Sequence, residues 1–368
     1  METGPSKVEK LSTLLEISRE LNSYLQPEDL VQLVLEKAME VAAAEAGTLW
    51  LVEEDGYLAP LMARGPRADS LKGLRLAPGE GLAGQVVERN EPRLVEDVTK
   101  DPAWAGRFDQ TTSFVTRSIL CVPLRARAKV IGCLQLINKL SDNSLFGQDD
   151  LELALAFAGH AAIALENGRL YSQLHTLLHS LIGALTSSLD ARDPYTHGHS
   201  ERVARYSLMI GRELGFTAEE MANLERAALL HDIGKIGIRD HVLLQEGPLD
   251  KEKYEIMKTH PQIGARILED VTPRSLVRGI YEGALYHQEK CDGTGYPQGL
   301  KDGEIPLVGR IISVADTFDA ITTDRPYRKG APVPEALAEI RRCAGTQFDP
   351  QVAAAFCRAM ENSLPSGT

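Results

Sequence analysis

The residues best suited to chemistry start with Leu230-His231-Asp232-Ile233-Gly234-Lys235. An adjacent His and Asp near the end of an apolar helix offer one imidazole and one carboxylate to the same metal region. Lys235 follows His231 by four residues, which on a continuing helix returns it to the same face. Imidazole, carboxylate and cation together suit attack on a phosphate ester. Taken alone, His231-Asp232 is also readable as a buried hydrogen-bonded pair.

Further candidate ligands flank that segment. His199 precedes it in His197-Gly198-His199-Ser200. After it come His260-Pro261, His287-Gln288-Glu289 and Asp316 in Val314-Ala315-Asp316-Thr317-Phe318-Asp319-Ala320, with Asp292-Gly293-Thr294-Gly295-Tyr296-Pro297 between the last two. Each piece has a plainer reading. Ser200 and Glu201 suit a helix start beside His199. His260-Pro261 suits a helix boundary. Asp316 and Asp319 lie one turn apart and suit surface charges, although Ile311, Ile312, Val314 and Ala315 argue for a buried face.

The order and spacing of these motifs resemble the HD-GYP family, a branch of the HD-domain metallo-phosphodiesterases, from Leu181 to the C-terminus. The resemblance implies an all-α domain with two divalent metal ions, Fe or Mn. His199, His231, Asp232 and Asp316 would hold one ion. Asp232 would bridge to a second held by His260 and His287, with a hydroxide between the ions as nucleophile. Lys235 would stabilise charge on the phosphoryl oxygens or assist the leaving group. The implied reaction is hydrolysis of cyclic di-GMP to pGpG, and onward to GMP as a further alternative.

Two departures stand out. Gln288 replaces the second His of a typical His-His-Glu, and its carbonyl is a poorer metal partner than imidazole, which weakens the second ion. Tyr195 occupies the place of a third-metal Glu, so at most two ions are expected. His175, His179, His197 and His241 match no ligand position.

On the substrate side, Gly295, Tyr296 and Pro297 allow close ligand approach and a stiff exit. In the family this loop also contacts diguanylate cyclases. Arg325, Tyr327 and Arg328 follow the Asp316 helix and offer cations and a ring to a cyclic dinucleotide, or form an exposed basic turn.

The supporting elements read as follows. An amphipathic helix spans about Lys7 to Leu25, and Pro27 opens a second helix to Ala43. Strands are expected at residues 47–52 and 58–62 around Asp55-Gly56, with a hairpin of Ser118 to Leu124 and Val130 to Ile137. A long helix starts near Gln148. This order resembles a GAF domain, the small-ligand sensor fold, over residues 11–170: an α+β domain with an antiparallel sheet. Asn138, Lys139, Phe146 and Asp150 approximate the signature of cyclic-nucleotide-binding GAF domains. They serve either a ligand or the tie between the last strand and the closing helix.

Residues 1–165 are thus read as a sensor domain, 166–189 as a helical signalling linker and 190–368 as the metallo-phosphodiesterase domain. Leu170, Leu174, Leu177, Leu181 and Ala184 step like a coiled-coil seam, which predicts a parallel homodimer; a helix packed on its own domain is the alternative. The net charge of −12 over 368 residues argues against binding a nucleic-acid polymer. Five Cys without a close pair suit a reducing cytoplasm. The apolar stretch Leu151 to Leu165 is too short to cross a bilayer, and the charged N-terminus has no leader-like apolar core. The expected function is a sensor-controlled phosphodiesterase. Alternatives are a catalytically weak cyclic di-GMP receptor, motivated by Gln288, and a hydrolase of another cyclic dinucleotide.

Overall fold

The computed structural model describes residues 27–104, 114–140, 145–192, 198–245, 247–324 and 329–363. The helix expected at Lys7 to Leu25 lies outside them. The chain divides between His175 and Thr176 into two compact units.

The first unit carries α1 (Pro27–Ala42), β1 (Ala44–Val52), β2 (Leu58–Arg64), α2 (Gly81–Arg89), β3 (Arg93–Val95), β4 (Ile119–Ala126) and β5 (Lys129–Lys139). The five strands form an antiparallel sheet in the order β2-β1-β5-β4-β3. Successive strand residues face opposite sides. Leu120, Val122 and Leu124 therefore pack under α1 with Val31, Val34 and Leu35, while Ile119 and Cys121 join Trp50, Leu82 and Val86 on the other face. Both faces are covered, which explains an apolar run in β4 without polar alternation. The β4–β5 pairing continues to Ala126 opposite Lys129. The turn is thus shorter than the expected Arg125 to Lys129, with Arg127 in the left-handed region at φ 54° that tight hairpins require.

The long helix α3 (Gln148–Arg192) starts where the sequence predicts, with Asp149 and Asp150 in its first turn. In the first unit its Ala154, Phe157, Ala158 and Ala161 close the α1 face of the core.

The second unit is helical. It contains α4 (His199–Glu213), α5 (Ala218–Leu230), α6 (Asp240–Leu243), α7 (Lys251–Met257), α8 (His260–Glu269), α9 (Arg274–Tyr286), α10 (Leu307–Thr322), α11 (Val333–Arg342) and α12 (Pro350–Ser363). A loop-rich stretch lies between α9 and α10, as expected. Val203, Leu224, Ile311, Ile312, Phe318, Ile340 and Phe356 form one core across α4, α5, α10, α11 and α12. Phe318 and Phe356 meet edge to face at 4.8 Å. Burying each ring contributes about 1.5–3 kcal/mol. Among the described residues, no helix is long and apolar enough to cross a membrane.

Candidate metal centre

Helix α5 opens on a capping box. Thr217 Oγ1 accepts from Glu220 N at 3.3 Å, and Glu220 accepts from Thr217 N at 2.8 Å. The helix ends at Leu230, and His231 is its C-cap. The sequence reading that put Lys235 on the helical face of His231 is therefore corrected. Asp232 leaves the helical region at φ −97° and ψ 9°, and Ile233–Gly237 forms a 3-10 turn. Lys235 instead reaches Asp232, three residues back, with Nζ 2.6 Å from Oδ2. The cause is close packing of this turn on α8. A Cβ on Gly234 would lie 1.9 Å from the His260 carbonyl oxygen and 2.5 Å from Gly264 N.

Three imidazoles are anchored by helix-end carbonyls, His231 and His287 on the helices they cap and His260 on α7, the helix before its own. The Nδ1 of His231 lies 2.7 Å from Ala228 O, that of His260 2.8 Å from Met257 O and that of His287 3.0 Å from Gly283 O. A carbonyl accepts only, so each Nδ1 carries the proton and each Nε2 presents a lone pair. His199 differs: its Nδ1 lies 2.7 Å from the Asp319 carboxylate. All four rings are buried.

Their Nε2 atoms converge on Asp232, which is 5% exposed. Its Oδ1 lies 3.2 Å from His260 Nε2 and 3.5 Å from His287 Nε2. Its Oδ2 lies 3.4 Å from His231 Nε2 and 4.0 Å from His199 Nε2. Asp316 Oδ1 lies 3.3 Å from His199 Nε2. Two groups each bring their ligand atoms within 4.8 Å of one another: His199, His231 and Asp316, and His231, Asp232 and His287. The buried His231 Nε2 has no hydrogen-bond partner, a costly arrangement unless a ligand takes the lone pair. Imidazoles and a second carboxylate around one carboxylate with split oxygens fit divalent metal ions.

The electrostatics agree. Burial pushes the Asp232 carboxyl up, but Lys235 and the His231 and His260 rings hold it well below the usual range. Burial likewise opposes ionisation of Asp316, and the hydrogen bond and charge of His199 outweigh it. For His199, burial favours the neutral ring, yet Asp316, Asp319 and Asp232 bring its pKa up to about 9. Burial lowers His287, reinforced by His231 and His260.

Sequence reasoning missed three residues here. Asp319, 1% exposed, accepts from His199 and from Arg202, whose Nε lies at 2.6 Å and Nη2 at 3.0 Å. It is therefore not a surface charge. Its signal was its place one turn after Asp316 on a helix rich in buried aliphatics. Arg202 lies three residues after His199 on α4. Glu289, 2% exposed, accepts from Gln298 N at 2.7 Å, Gly299 N at 3.1 Å and Leu300 N at 3.1 Å, and so folds the Gly-Tyr-Pro loop around itself.

Within that loop a Cβ on Gly295 would lie 2.3 Å from Lys290 N, so only glycine fits. Tyr296 N donates to Gln288 O at 3.2 Å, its ring stands 6.5 Å from the His260 ring, and Pro297 follows. Burial pushes the Tyr296 phenol up, helped by Tyr254, Asp232 and Asp316. Gln288 Nε2 donates to Asp316 Oδ2 at 3.4 Å, bringing it beside the ligand set. Arg325, Tyr327, Arg328 and Tyr195 lie outside the described residues.

In the first unit, the Lys139 ammonium pairs with Asp150 and lies 5.8 Å from the Phe146 ring centroid. Asp150 also accepts from Gly147 N at 2.8 Å. Asn138 accepts from Arg117 N at 2.7 Å and donates to Glu45 and to Val115 O, each at 2.8 Å. Lys139 and Asp150 thus tie β5 to the start of α3, while Asn138 ties β5 to β1 and to the segment before β4. A separate cavity lies on the other face, enclosing about 790 Å³ including space open at its mouth. It is lined by Thr48, Trp50, Arg67, Trp104, Gln135 and Ile137 among others, and none of the four signature residues lines it.

Residues 184–352 match the HD domain family and residues 25–166 match the GAF domain family. A cyclic di-GMP phosphodiesterase of Thermotoga maritima is 43% identical over 51% of this chain and 51% of its own length. A 3'3'-cGAMP-specific phosphodiesterase 3 of Vibrio cholerae is 42% identical over 51% of this chain and 40% of its own. The 3'3'-cGAMP-specific phosphodiesterase 2 of that organism is 32% identical over 75% of this chain and 49% of its own. The chain thus spans about half the length of the curated relatives it matches. The chain thus carries a GAF-domain match followed by an HD-domain match, with the His and Asp motifs and Gly295-Tyr296-Pro297 lying in the second.

Proposed function

We propose that this chain is a metal-dependent phosphodiesterase that hydrolyses cyclic di-GMP to pGpG under the control of its GAF domain. The observation that carries the reading is Asp232. One carboxylate oxygen faces His260 and His287, while the other faces His231, His199 and Lys235. Two divalent ions, Fe or Mn, fit that division: His199, His231, Asp232 and Asp316 would hold one, and Asp232, His260 and His287 the other. When bound they supply Lewis acidity to a phosphodiester and lower the pKa of water.

The protein's own residues do the rest. Lys235 places a cation against the developing phosphoryl charge. Tyr296, with its phenol kept protonated, offers a ring and a hydroxyl donor beside His260. Glu289 fixes the loop that brings Gly295 and Pro297 to the substrate. Arg325, Tyr327 and Arg328 would take the remaining phosphate and a base.

The domains proposed are 1–165 for the sensor, 166–189 for the linker and 190–368 for the hydrolase. The GAF ligand would be a small molecule held by Thr48, Trp50 and Gln135 rather than by the signature residues. Exposed Leu170, Leu174, Leu177 and Leu181 on α3 support a parallel homodimer. Contact with a diguanylate cyclase through the Gly-Tyr-Pro loop belongs to the same reading. Five free thiols suit a reducing cytoplasm. The cGAMP-specific relatives favour a second reading, in which a mixed cyclic dinucleotide is the better substrate.

The test is turnover of cyclic di-GMP and cGAMP by anaerobically prepared full chain with Mn or Fe, beside Asp232→Asn. Wild-type turnover, with loss in the variant at an unchanged melting temperature, is expected. Tight binding without turnover under either metal would instead mark a receptor, and Gln288→His would then be the next variant.

A further inference from the structure

The last residue of α3 reaches across to the segment that carries Lys235. Arg192 donates from Nη1 to the Ile236 carbonyl, from Nη2 to Ile238 O at 2.6 Å, and to Asp240 Oδ1 from Nη2 at 2.8 Å and Nε at 3.2 Å. The acceptors bracket the end of the 3-10 turn Ile233–Gly237. Earlier on α3, Thr186 Oγ1 lies 3.4 Å from Leu229 O, and Ile182 packs against the apolar cluster that includes Leu230 and Ile233. The end of α3 therefore grips both sides of His231-Asp232: Leu229 and Leu230 before it, Ile236 to Asp240 after it.

The gripped turn packs on α8 at Gly234, and its exit from Ile236 to Asp240 is the part that Arg192 holds. A 3-10 turn has poorer internal hydrogen bonds than an α-helix. Those at its two ends are Lys235 N to Asp232 O at 2.9 Å and Ile238 N to Lys235 O at 3.0 Å. The Ile236 side chain is exposed. A planar guanidinium satisfying two carbonyls and a carboxylate fixes direction as well as distance, which a lysine ammonium does not.

We infer that Arg192 is a positioning residue: it ties the turn bearing Lys235 to the end of α3 and thereby sets the Lys235 ammonium against Asp232. The inference rests on the phosphodiesterase reading for its kinetic consequence. It also names the place where a displacement of α3 along its axis reaches the reaction. Pulling Arg192 by a fraction of a hydrogen-bond length moves the backbone on which Lys235 stands, while the anchors of His260 and His287 lie on other helices.

The experiment compares full-length wild type, Arg192→Ala and Arg192→Lys. Each is measured for kcat and KM, metal content, melting temperature and hydrogen exchange of amides 233–240. The expected result is a fall of about ten- to hundredfold in kcat for Arg192→Ala, the cost of misplacing a group by about 1 Å. KM and metal content stay near wild type, Arg192→Lys recovers part of the loss, and amides 233–240 exchange faster. Should Arg192→Ala not fold, Arg192→Lys carries the test with the same signs. Unchanged kcat, or a loss matched by lost metal or lost folded protein, would overturn the inference. If wild type itself turns nothing over, the phosphodiesterase reading fails separately, and unchanged exchange at 233–240 in the variant would overturn the tie.

Discussion

Replacing Asp319 by Asn tests whether the metal centre depends on a residue that touches no metal. Asp319 holds His199 Nδ1 at 2.7 Å and Arg202 Nε at 2.6 Å. A carboxylate behind a ligating imidazole typically contributes about 10–100-fold in metal affinity, or roughly 1.4–2.7 kcal/mol. A second effect opposes it. Asp319 also helps bring the His199 pKa up to about 9, and metal must displace that proton. At neutral pH the two units between 7 and about 9 cost about 2 × 1.36, or roughly 2.7 kcal/mol, in wild type. In the variant, burial of the ring regains weight and the proton leaves more easily.

The two effects offset near pH 7, so a single measurement there would mislead. Above pH 9 proton competition has ended and only the loss of orientation and basicity remains. Competitive Mn titration against a chelator, under argon, should show wild-type affinity rising with pH until about 9, by about tenfold per unit from this group. The variant should rise less and lie about 10–100-fold below wild type at the alkaline end. Equal affinities there would refute the reasoning. The same shift has a sign for stability: a raised His pKa stabilises the metal-free fold below pH 6.5, and that contribution is lost as pH rises through about 9. Metal-free protein should therefore weaken over the window in which metal binding strengthens.

Glu289→Gln keeps the shape but removes the charge that accepts three backbone amides, so the Tyr296 loop should loosen. We expect a several-fold higher KM with metal content unchanged, and a loss of about 1–3 kcal/mol in denaturant unfolding of the second unit. In the GAF domain, Asp150→Ala leaves the Lys139 ammonium, 16% exposed, without its carboxylate; a stability loss of about 3 kcal/mol should follow in chemical denaturation. A ligand bound in the Trp50 cavity should lose affinity only through the lost stability, because Asp150 does not line that cavity.

What was legible in the sequence and what was not follows from the range of the forces involved. The candidate metal ligands stood out because their order and spacing, taken together, resemble one known pattern, although each alone has a plainer reading. The strands of the GAF sheet stood out because both faces are buried. Lys235 was expected on the helical face of His231 and instead meets Asp232. Periodicity assumes that the helix continues, and it stops because α8 comes within reach of Gly234, a contact between segments far apart in sequence. Asp319 was read as ambiguous for the same reason: its partners, His199 and Arg202, sit on α4, about 120 residues earlier. Glu289 shows the limit most sharply. In sequence it is only the residue after Gln288, yet its role is set by three amides at Gln298 to Leu300 that close on it. The atoms expected to bind metal and substrate are readable from residue type. The residues that hold those atoms in place act through chain crossings that no local pattern encodes, and a second carboxylate one turn from a buried one is the clearest local sign that such a crossing exists.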